Sequence, residues 1–461
     1  MPDPAYPPAD PAAQSVREAL RGRLSDLWGT PVRVGEPVLL TGGASRETLQ
    51  IHVAATGTHR DVVLRRDLLP GADPAGLARE AAALRAAAAD GVPVPAVVDD
   101  GPALSGHPYL VMEYVPGETV PRRLLRDPAY STIRTTLAGA LGAIAARIHT
   151  VDPDQVPGLT RPDPLGLLRD LADDDDTPRP AVELGLAWLA ARTPPPAPDT
   201  LVHGDLRNGN VLVGPDGVRA ILDWELVHRG DPVEDLGWLC VKAWRFGAAQ
   251  PVGGFGSRAE LLDGYAAVAG WRPTDEQLRW WEVYGTLRWV LLCRRQALAY
   301  LRGDRDSLEH AVIGRRVCEA EFDLLLALDL TSPAAPTPVT QPLVTPGDAD
   351  RGTTRPPHDA PDAGHLIAAV TDAFTSGAFG DAYLTRVAAN ALRIAGRELA
   401  LGPDLADRHR RRLDALGVPD DAAVAAALRD GTGGPQLTAA VVDAVRDKLL
   451  VANPRYLTQP A

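Results

Sequence analysis

Lysine is nearly missing from these 461 residues: only Lys242 and Lys448 occur, so almost every cation is an arginine and none before position 242 is an ammonium. Cysteine is scarce too. Cys240, Cys293 and Cys318 are odd in number, far apart and in no Cys-x-x-Cys or Cys/His spacing. That excludes a disulfide framework and a zinc site and fits a reducing compartment. No window approaches about 18 uninterrupted apolar residues, so no membrane-spanning helix is expected. The first residues, MPDPAYPPADPAAQ, have neither the basic start nor the apolar core of a signal peptide. Positive charge is in deficit: Lys+Arg 47 against Asp+Glu 60 gives −13. A broad basic surface for nucleic acid or anionic lipid is thereby excluded. The expectation is a cytoplasmic protein with no nucleic-acid and no membrane partner. What is present is ordinary globular material, 45% hydrophobic and 23% charged. At roughly 100–200 residues per domain, the length suggests two to four domains.

Residues 1–14 are Pro/Ala-rich and are expected to be disordered. From Pro37 to Arg66, short apolar runs split by TGGAS and ATGTHRD turns predict strands. Residues 76–89, GLAREAAALRAAAA, predict a helix stopped by Gly91 and Pro93. Tyr109–Tyr114 predicts a strand broken at Pro116-Gly117, and Leu137–His149 has the 3.6-residue period of a helix. Two short apolar β runs follow at Val211–Val213 and Ala220–Leu222, and residues 258–330 read as helical again. Residues 331–361 form a Pro/Thr linker. The helical unit after it, 362–461, carries 12 acids and 11 bases, so −12 of the net charge lies before it. Within that unit Asp381–Leu401 presents Leu384, Val387, Ala391 and Ala395 on one face, with Gly402-Pro403 as the expected stop.

The strongest chemical signal is Leu201-Val-His-Gly-Asp-Leu-Arg-Asn-Gly-Asn-Val-Leu-Val, followed thirteen residues after Asn210 by Asp223-Trp-Glu. An Asp and an Asn five apart on a loop, then a second Asp opening the next hairpin, suit phosphoryl transfer. Asp205 would orient and deprotonate a hydroxyl, while Asn210 and Asp223 would hold Mg²⁺ through hard oxygens. The segment resembles the aminoglycoside-phosphotransferase/choline-kinase-like branch of the protein-kinase-like superfamily, whose catalytic loop reads H-G-D-x-x-x-x-N and whose metal motif is D-x-E/D.

The resemblance covers about residues 30–330. It implies an α+β, bilobal fold, with a mixed-sheet N-lobe at 30–115 and a mainly helical C-lobe at 116–330. A flexible segment and lead-in helix at 1–29 precede them. Thr41-Gly-Gly-Ala-Ser-Arg stands where the family has its phosphate-covering loop, with Gly42 and Gly43 freeing backbone N–H groups and Ser45 adding a hydroxyl. Val63-Leu-Arg65 occupies the place of the third-strand V-x-K, a departure that substitutes a bidentate guanidinium for an ammonium. Related proteins of the acyl-CoA-dehydrogenase-associated type look alike here, so Arg65 reads as a variant. Arg66 faces the other way and reads as a solvated charge. Glu80 shares a helix face with Leu77 and Leu84, is directed inward and needs a cationic partner, for which Arg65 is the natural candidate. Backbone groups near Glu113–Val115 would bond the adenine edge. Asp235 matches a position that braces the catalytic loop; Asp231 and His203 also read as structural, and His149 as a helix-terminal cation.

The implied activity is transfer of a phosphoryl group from ATP (or GTP), with Mg²⁺, to a hydroxyl of a small molecule, such as a hydroxyacyl-CoA-type metabolite. An aminoglycoside antibiotic is the second acceptor class. A catalytically silent nucleotide-binding scaffold is the reading from a different class. Trp280, Trp281 and Trp289 with Tyr284 and Arg288 have helical spacing and read as core before acceptor pocket. The unit 362–461 resembles a small helical domain of unknown function that accompanies such kinases. Its Arg386, Asn390, Arg393 and Arg397 form one stripe, read as a solvated face or as a docking surface for a partner.

Overall fold

The computed structural model describes residues 11–40, 46–68, 73, 75–174, 176–334, 357–376 and 382–460. The chain divides into two compact units, one formed by 1–161, 197–235 and 255–272, the other by 162–196, 236–254 and 273–461. In the first unit α1 (Pro11–Trp28) is followed by β1 (Arg33–Val34), β2 (Val38–Leu39), β3 (Glu47–Ala55) and β4 (Thr58–Arg66). After α2 (Gly76–Ala89) come β5 (Val97–Leu104) and β6 (His107–Glu113). The sheet order is β1-β3-β4-β6-β5 with β2 also on β3, and every pairing is antiparallel.

Alternation sets the faces of this sheet. Leu49, Ile51 and Val53 of β3 are buried and stand opposite Leu64, Val62 and Arg60 of β4. With Val16, Leu20 and Leu24, spaced one helical turn apart on α1, Leu49, Ile51, Val53, Val62 and Leu64 close one apolar core. Arg65, next to Leu64, necessarily points to the opposite face. That face is where Glu80 arrives: Leu77, Glu80, Ala81 and Leu84 are the buried side of α2.

The first unit continues with α3 (Pro121–Arg126), α4 (Ser131–Arg134) and α5 (Leu137–Thr150), while α6 (Pro164–Ala172) and α7 (Pro180–Ala190) belong to the second. Two short antiparallel pairs frame the loop 203–210. β7 (Thr200–Val202) leads into it and β8 (Val211–Gly214) leaves it; β8 pairs with β9 (Gly217–Ile221), and β7 with β10 (His228–Gly230). α8 (Val233–Cys240) starts directly afterwards, and α9 (Arg258–Ala269) packs on α5. The crossing is tight: a Cβ on Gly142 would lie 2.0 Å from the Leu261 carbonyl oxygen, so only glycine fits there.

The second unit is helical: α10 (Asp275–Leu301), α11 (Leu308–Ile313), α12 (Val317–Ala327), α13 (Ala363–Thr375), α14 (Ala382–Leu416), α15 (Asp421–Arg429) and α16 (Pro435–Ala452). α10 opens with a capping box between Thr274 and Gln277. Its Trp280, Trp281 and Tyr284 are core, and Trp280 Nε1 donates to the Leu189 carbonyl. One apolar cluster joins Leu308 of α11, Leu366 of α13, Ile394 and Leu405 of α14 and Val451 of α16. Another joins Ala181 of α7, Phe322 of α12, Leu413 of α14, Val424 of α15 and Val445 of α16.

Two expectations need correction here. α14 does not stop at Gly402-Pro403 but runs on to Leu416 with Pro403 inside it. Pro403 forfeits one backbone hydrogen bond, yet Leu405 and Leu413 beyond it are buried in the two clusters, and that burial outweighs the local signal. The basic stripe on α14 is also incomplete. Arg386, Asn390 and Arg393 are exposed, but Arg397 donates to the Val451 and Ala452 carbonyls at 2.5 and 2.9 Å, capping the end of α16. Cys240, Cys293 and Cys318 are free thiols, all buried. Among the described residues no helix is long and apolar enough to cross a membrane.

Candidate active site

The loop 203–210 is held by a buried carboxylate at the start of α8. Asp235 accepts the backbone N–H of His203 at 2.8 Å through Oδ2 and that of Gly204 at 2.9 Å through Oδ1. Its third partner is His149, whose Nε2 lies 3.1 Å from Asp235 Oδ2, while His149 Nδ1 meets the Tyr265 hydroxyl at 3.2 Å. His149 stands in the last turn of α5, as expected, but it is buried there against Asp235 and Tyr265 rather than solvated. Burial alone would raise the Asp235 carboxyl, but the His149 bond and the His203 amide hold it below the ordinary carboxylate range. Gly204 has φ +81°, and a Cβ there would stand 2.6 Å from the Leu226 carbonyl oxygen, so no other residue allows this turn.

His203 is fully buried. Its Nδ1 accepts the Asp205 N–H at 3.1 Å, which leaves Nε2 to donate to the Leu222 carbonyl at 3.1 Å. The two partners fix one neutral tautomer, and burial pushes the imidazole pKa down. The Trp224 ring meets it edge-on at 4.8 Å. His203 therefore positions the Asp205 backbone.

Asp205 and Asn210 are brought together: Asn210 Nδ2 donates to Asp205 Oδ2 at 2.6 Å and to the Asp205 carbonyl at 2.9 Å. This commits the amide nitrogen inward and leaves the amide oxygen, a hard donor, for a cation. Arg207, inside the variable part of the loop, donates Nε to both Asp205 oxygens at 3.0 and 3.2 Å. The motif marks only its ends, so sequence reasoning passed over Arg207; its place two residues from an Asp was the available signal.

Asp223 follows β9 with φ 68°, ψ 67°, a left-handed conformation that Asp tolerates better than most residues. The turn presents its carboxylate to Arg65, whose Nη2 donates to Asp223 Oδ1 at 3.0 Å, while Nη1 pairs with Glu80 Oε1. Arg46 also pairs with Glu80, through Oε2 at 2.5 Å, and lies 3.6 Å from Asp67 and 3.7 Å from Glu225. Sequence reasoning missed Arg46 as a Glu80 partner, although it closes the T-G-G-A-S-R segment. Arg66 is not solvated: it is 6% exposed and donates Nε to Glu47 Oε2 at 2.7 Å, because the register sets it opposite Glu47.

Two guanidiniums thus face Glu80, Asp67, Asp223 and Glu225, an excess of two negative charges among the described residues. Burial drives the Glu80 carboxyl up, and Arg65 and Arg46 only partly pull it back. For Arg65 burial opposes the charge, but Glu80, Asp223 and Glu225 more than restore it, so its pKa rises. Asn210 offers an amide oxygen and Asp223 a carboxylate on a one-third exposed side chain, hard donors of the kind that suit Mg²⁺.

Glu113 ends β6, spends its amide on the Ala96 carbonyl at 2.8 Å and receives Arg60 at 3.2 Å; half-buried Val115 follows it. Asp231 accepts the Val233 amide at 2.8 Å at the start of α8. Gly42, Gly43 and Ser45 lie outside the described residues.

Residues 38–281 match the family described as phosphotransferase enzyme family, and residues 378–456 match a domain of unknown function. Acyl-CoA dehydrogenase family member 10 of Mus musculus is 32% identical over 251 residues, covering 49% of this chain. The chain spans only 22% of the length of that relative. Viomycin phosphotransferase of Streptomyces vinaceus is 28% identical over 298 residues, covering 60% of this chain and 93% of that enzyme. Among solved structures, a macrolide 2′-phosphotransferase from Brachybacterium faecium is 21% identical with a TM-score of 0.47, covering 66% of this chain and 97% of that one.

Proposed function

We propose that this chain, which belongs to the phosphotransferase enzyme family, moves the γ-phosphoryl group of ATP onto a hydroxyl of a small molecule. The observation that carries the reading is the Asn210 amide bonded into Asp205 at 2.6 Å, which ties the base to a metal donor on one loop. Asp205 takes the proton of the acceptor hydroxyl as its oxygen bonds to the γ-phosphorus and the bond to the ADP oxygen breaks. Arg65, held by Glu80 through Nη1 and by Asp223 through Nη2, would turn its remaining N–H groups to the phosphates. Asn210 and Asp223 would hold Mg²⁺, which, when bound, supplies charge neutralisation to the phosphoryl oxygens. Backbone groups around Glu113 and Val115 would read the purine, adenine or guanine; Gly42, Gly43 and Ser45 would cover the phosphates. His203 and Asp235 keep the loop in place.

A hydroxyacyl thioester is the first acceptor class, supported by the 32% identity to the mouse relative named for acyl-CoA dehydrogenase. An antibiotic hydroxyl is the second, supported by the match across 93% of viomycin phosphotransferase. The exposed Arg386, Asn390 and Arg393 leave a short basic stripe on which a partner could dock.

The test is a screen of hydroxyacyl-CoA thioesters and antibiotics for ATP-dependent phosphorylation, with wild type and Asp205→Ala side by side. Turnover should fall by about a thousandfold in Asp205→Ala. Calorimetry should show that Asp223→Ala loses the Mg²⁺-dependent part of nucleotide binding. Nucleotide binding without turnover of any acceptor would turn the reading to a silent scaffold; equal turnover in both proteins would remove Asp205 from the chemistry.

A further inference from the structure

The second unit contains a partly open cavity of about 210 Å³, and none of its lining residues belongs to the catalytic loop or its arginine pair. One wall is apolar, built from Ala181, Leu413, Ala440, Val441, Ala444 and Val445. The other carries Glu321, His358, Asp359 and Lys448, and Thr177, His409, Asp420 and Asp421 also line the cavity. Asp359 is 7% exposed; its Oδ1 receives Arg179 at 3.3 Å and Lys448 at 3.5 Å, while its Oδ2 is buried with no hydrogen-bond partner among the described residues. Both ring nitrogens of His358 are likewise buried without a hydrogen-bond partner among the described residues. Lys448 and Arg179 are shared with Glu321, at 2.9 and 3.3 Å.

Buried polar atoms in folded proteins are nearly always paired, because an unpaired one forfeits its whole hydration. Here three such atoms sit on two adjacent residues that line the same cavity. The wall toward α16 is apolar, so a water beside these atoms would lack partners on that side, where an apolar body gains contact. We infer that this cavity binds a compact, mostly apolar molecule carrying one neutral hydroxyl or amide N–H, donated to Asp359 Oδ2, with the apolar body against α16.

Charge selects against an amine in that place. Burial would raise the Asp359 carboxyl, but Lys448, Arg179 and Arg315 crowd it and hold it at about 2, and the same three cations repel an ammonium. Burial and Arg315 push the His358 imidazole down to about 4, so at neutral pH it offers one N–H and one lone pair, suited to a hydroxyl. The volume fits a body of about one six-membered ring.

Benzyl alcohol, toluene and benzylamine share that body and differ only in the head, so the three serve as probes against the full chain. Calorimetry should give saturable one-to-one binding of benzyl alcohol, with toluene and benzylamine each weaker by about tenfold. Only ten histidines occur, and the His358 ring resonances, assigned by their loss in His358→Gln, should move on titration. Ala444→Leu fills the cavity and should weaken benzyl alcohol by about tenfold while the protein stays folded; Ala440→Leu makes the same test if Ala444→Leu fails to fold. Absent saturation, equal affinity for toluene, preference for benzylamine, or binding that leaves the His358 resonances in place each overturns the assignment.

Discussion

Arg65 and Asp223, 158 positions apart in the chain, are joined by one hydrogen bond of 3.0 Å from Nη2 to Oδ1. The other terminal nitrogen of the same guanidinium is given to Glu80. A planar fork can hold two carboxylates in fixed directions, whereas an ammonium is a point charge on a flexible stem. In a chain with no lysine before position 242, the residue that ties the sheet and α2 to the Asp223 turn is therefore of a kind that spans all three.

Arg65→Lys should keep the Glu80 contact and lose the reach to Asp223. The expected result is an ATP KM raised by about tenfold with folding intact, against a loss in kcat/KM of about a hundredfold for Arg65→Ala. Steady-state kinetics on the accepted substrate decide this; wild-type constants in Arg65→Ala would place the phosphate anchor elsewhere.

Arg46 and Glu80 should be energetically coupled. Glu80 is buried and the Arg46 side chain is only 10% exposed, and Arg46→Ala leaves Glu80 with one guanidinium where it had two. A double-mutant cycle by urea unfolding should return about 1–2 kcal/mol of interaction energy. Strict additivity would mean that Arg46 merely lies beside the site.

Acidification should act through Asp235. A carboxyl held below its ordinary range contributes stability that is complete above the unfolded-chain value and is lost as pH falls through the folded value. Stability of the wild type should therefore drop below about pH 4. Asp235→Asn, which cannot ionise, should be about 3 kcal/mol less stable at neutral pH and flatter across the acid range. Denaturant unfolding from pH 3 to pH 7 checks it; parallel curves for the two proteins would deny Asp235 this role.

Pro403→Ala should stabilise the second unit. The substitution restores an amide inside α14, able to bond the Leu399 carbonyl, and removes the ring clash, at some entropic loss from a freer unfolded chain. A gain of about 1–2 kcal/mol in thermal or urea unfolding is expected. A destabilised variant would show that the proline ring itself is needed where α14 carries Leu405 and Leu413 into the core.

The strands around Leu49–Val53 and Val62–Arg65, the helix 76–89 and the loop carrying His203, Asp205 and Asn210 were legible because their signals are local. Alternation, the 3.6-residue period and fixed spacings of Gly, Asp and Asn act over a few residues of covalent chain. The inward direction of Glu80 could also be read, since Leu77 and Leu84 flank it on one helix face. The burial of His149 and Arg66 was not legible for the complementary reason. In its own segment His149 is a helix-terminal residue and Arg66 a solvated charge, and only the partner, Asp235 or Glu47, makes burial affordable.

The sequence by itself determined which groups would carry charge and hard oxygens, and that the cation beside Glu80 had to be an arginine. Only the tertiary structure decided that Arg46 shares Glu80, that Arg207 covers Asp205, and that α14 runs through Gly402-Pro403 into both apolar clusters. Those outcomes depend on contacts closed across long stretches of chain. There the free energy of burial and of charge pairing, summed over several side chains, exceeds the fraction of a kilocalorie to a few kilocalories that any single local preference contributes.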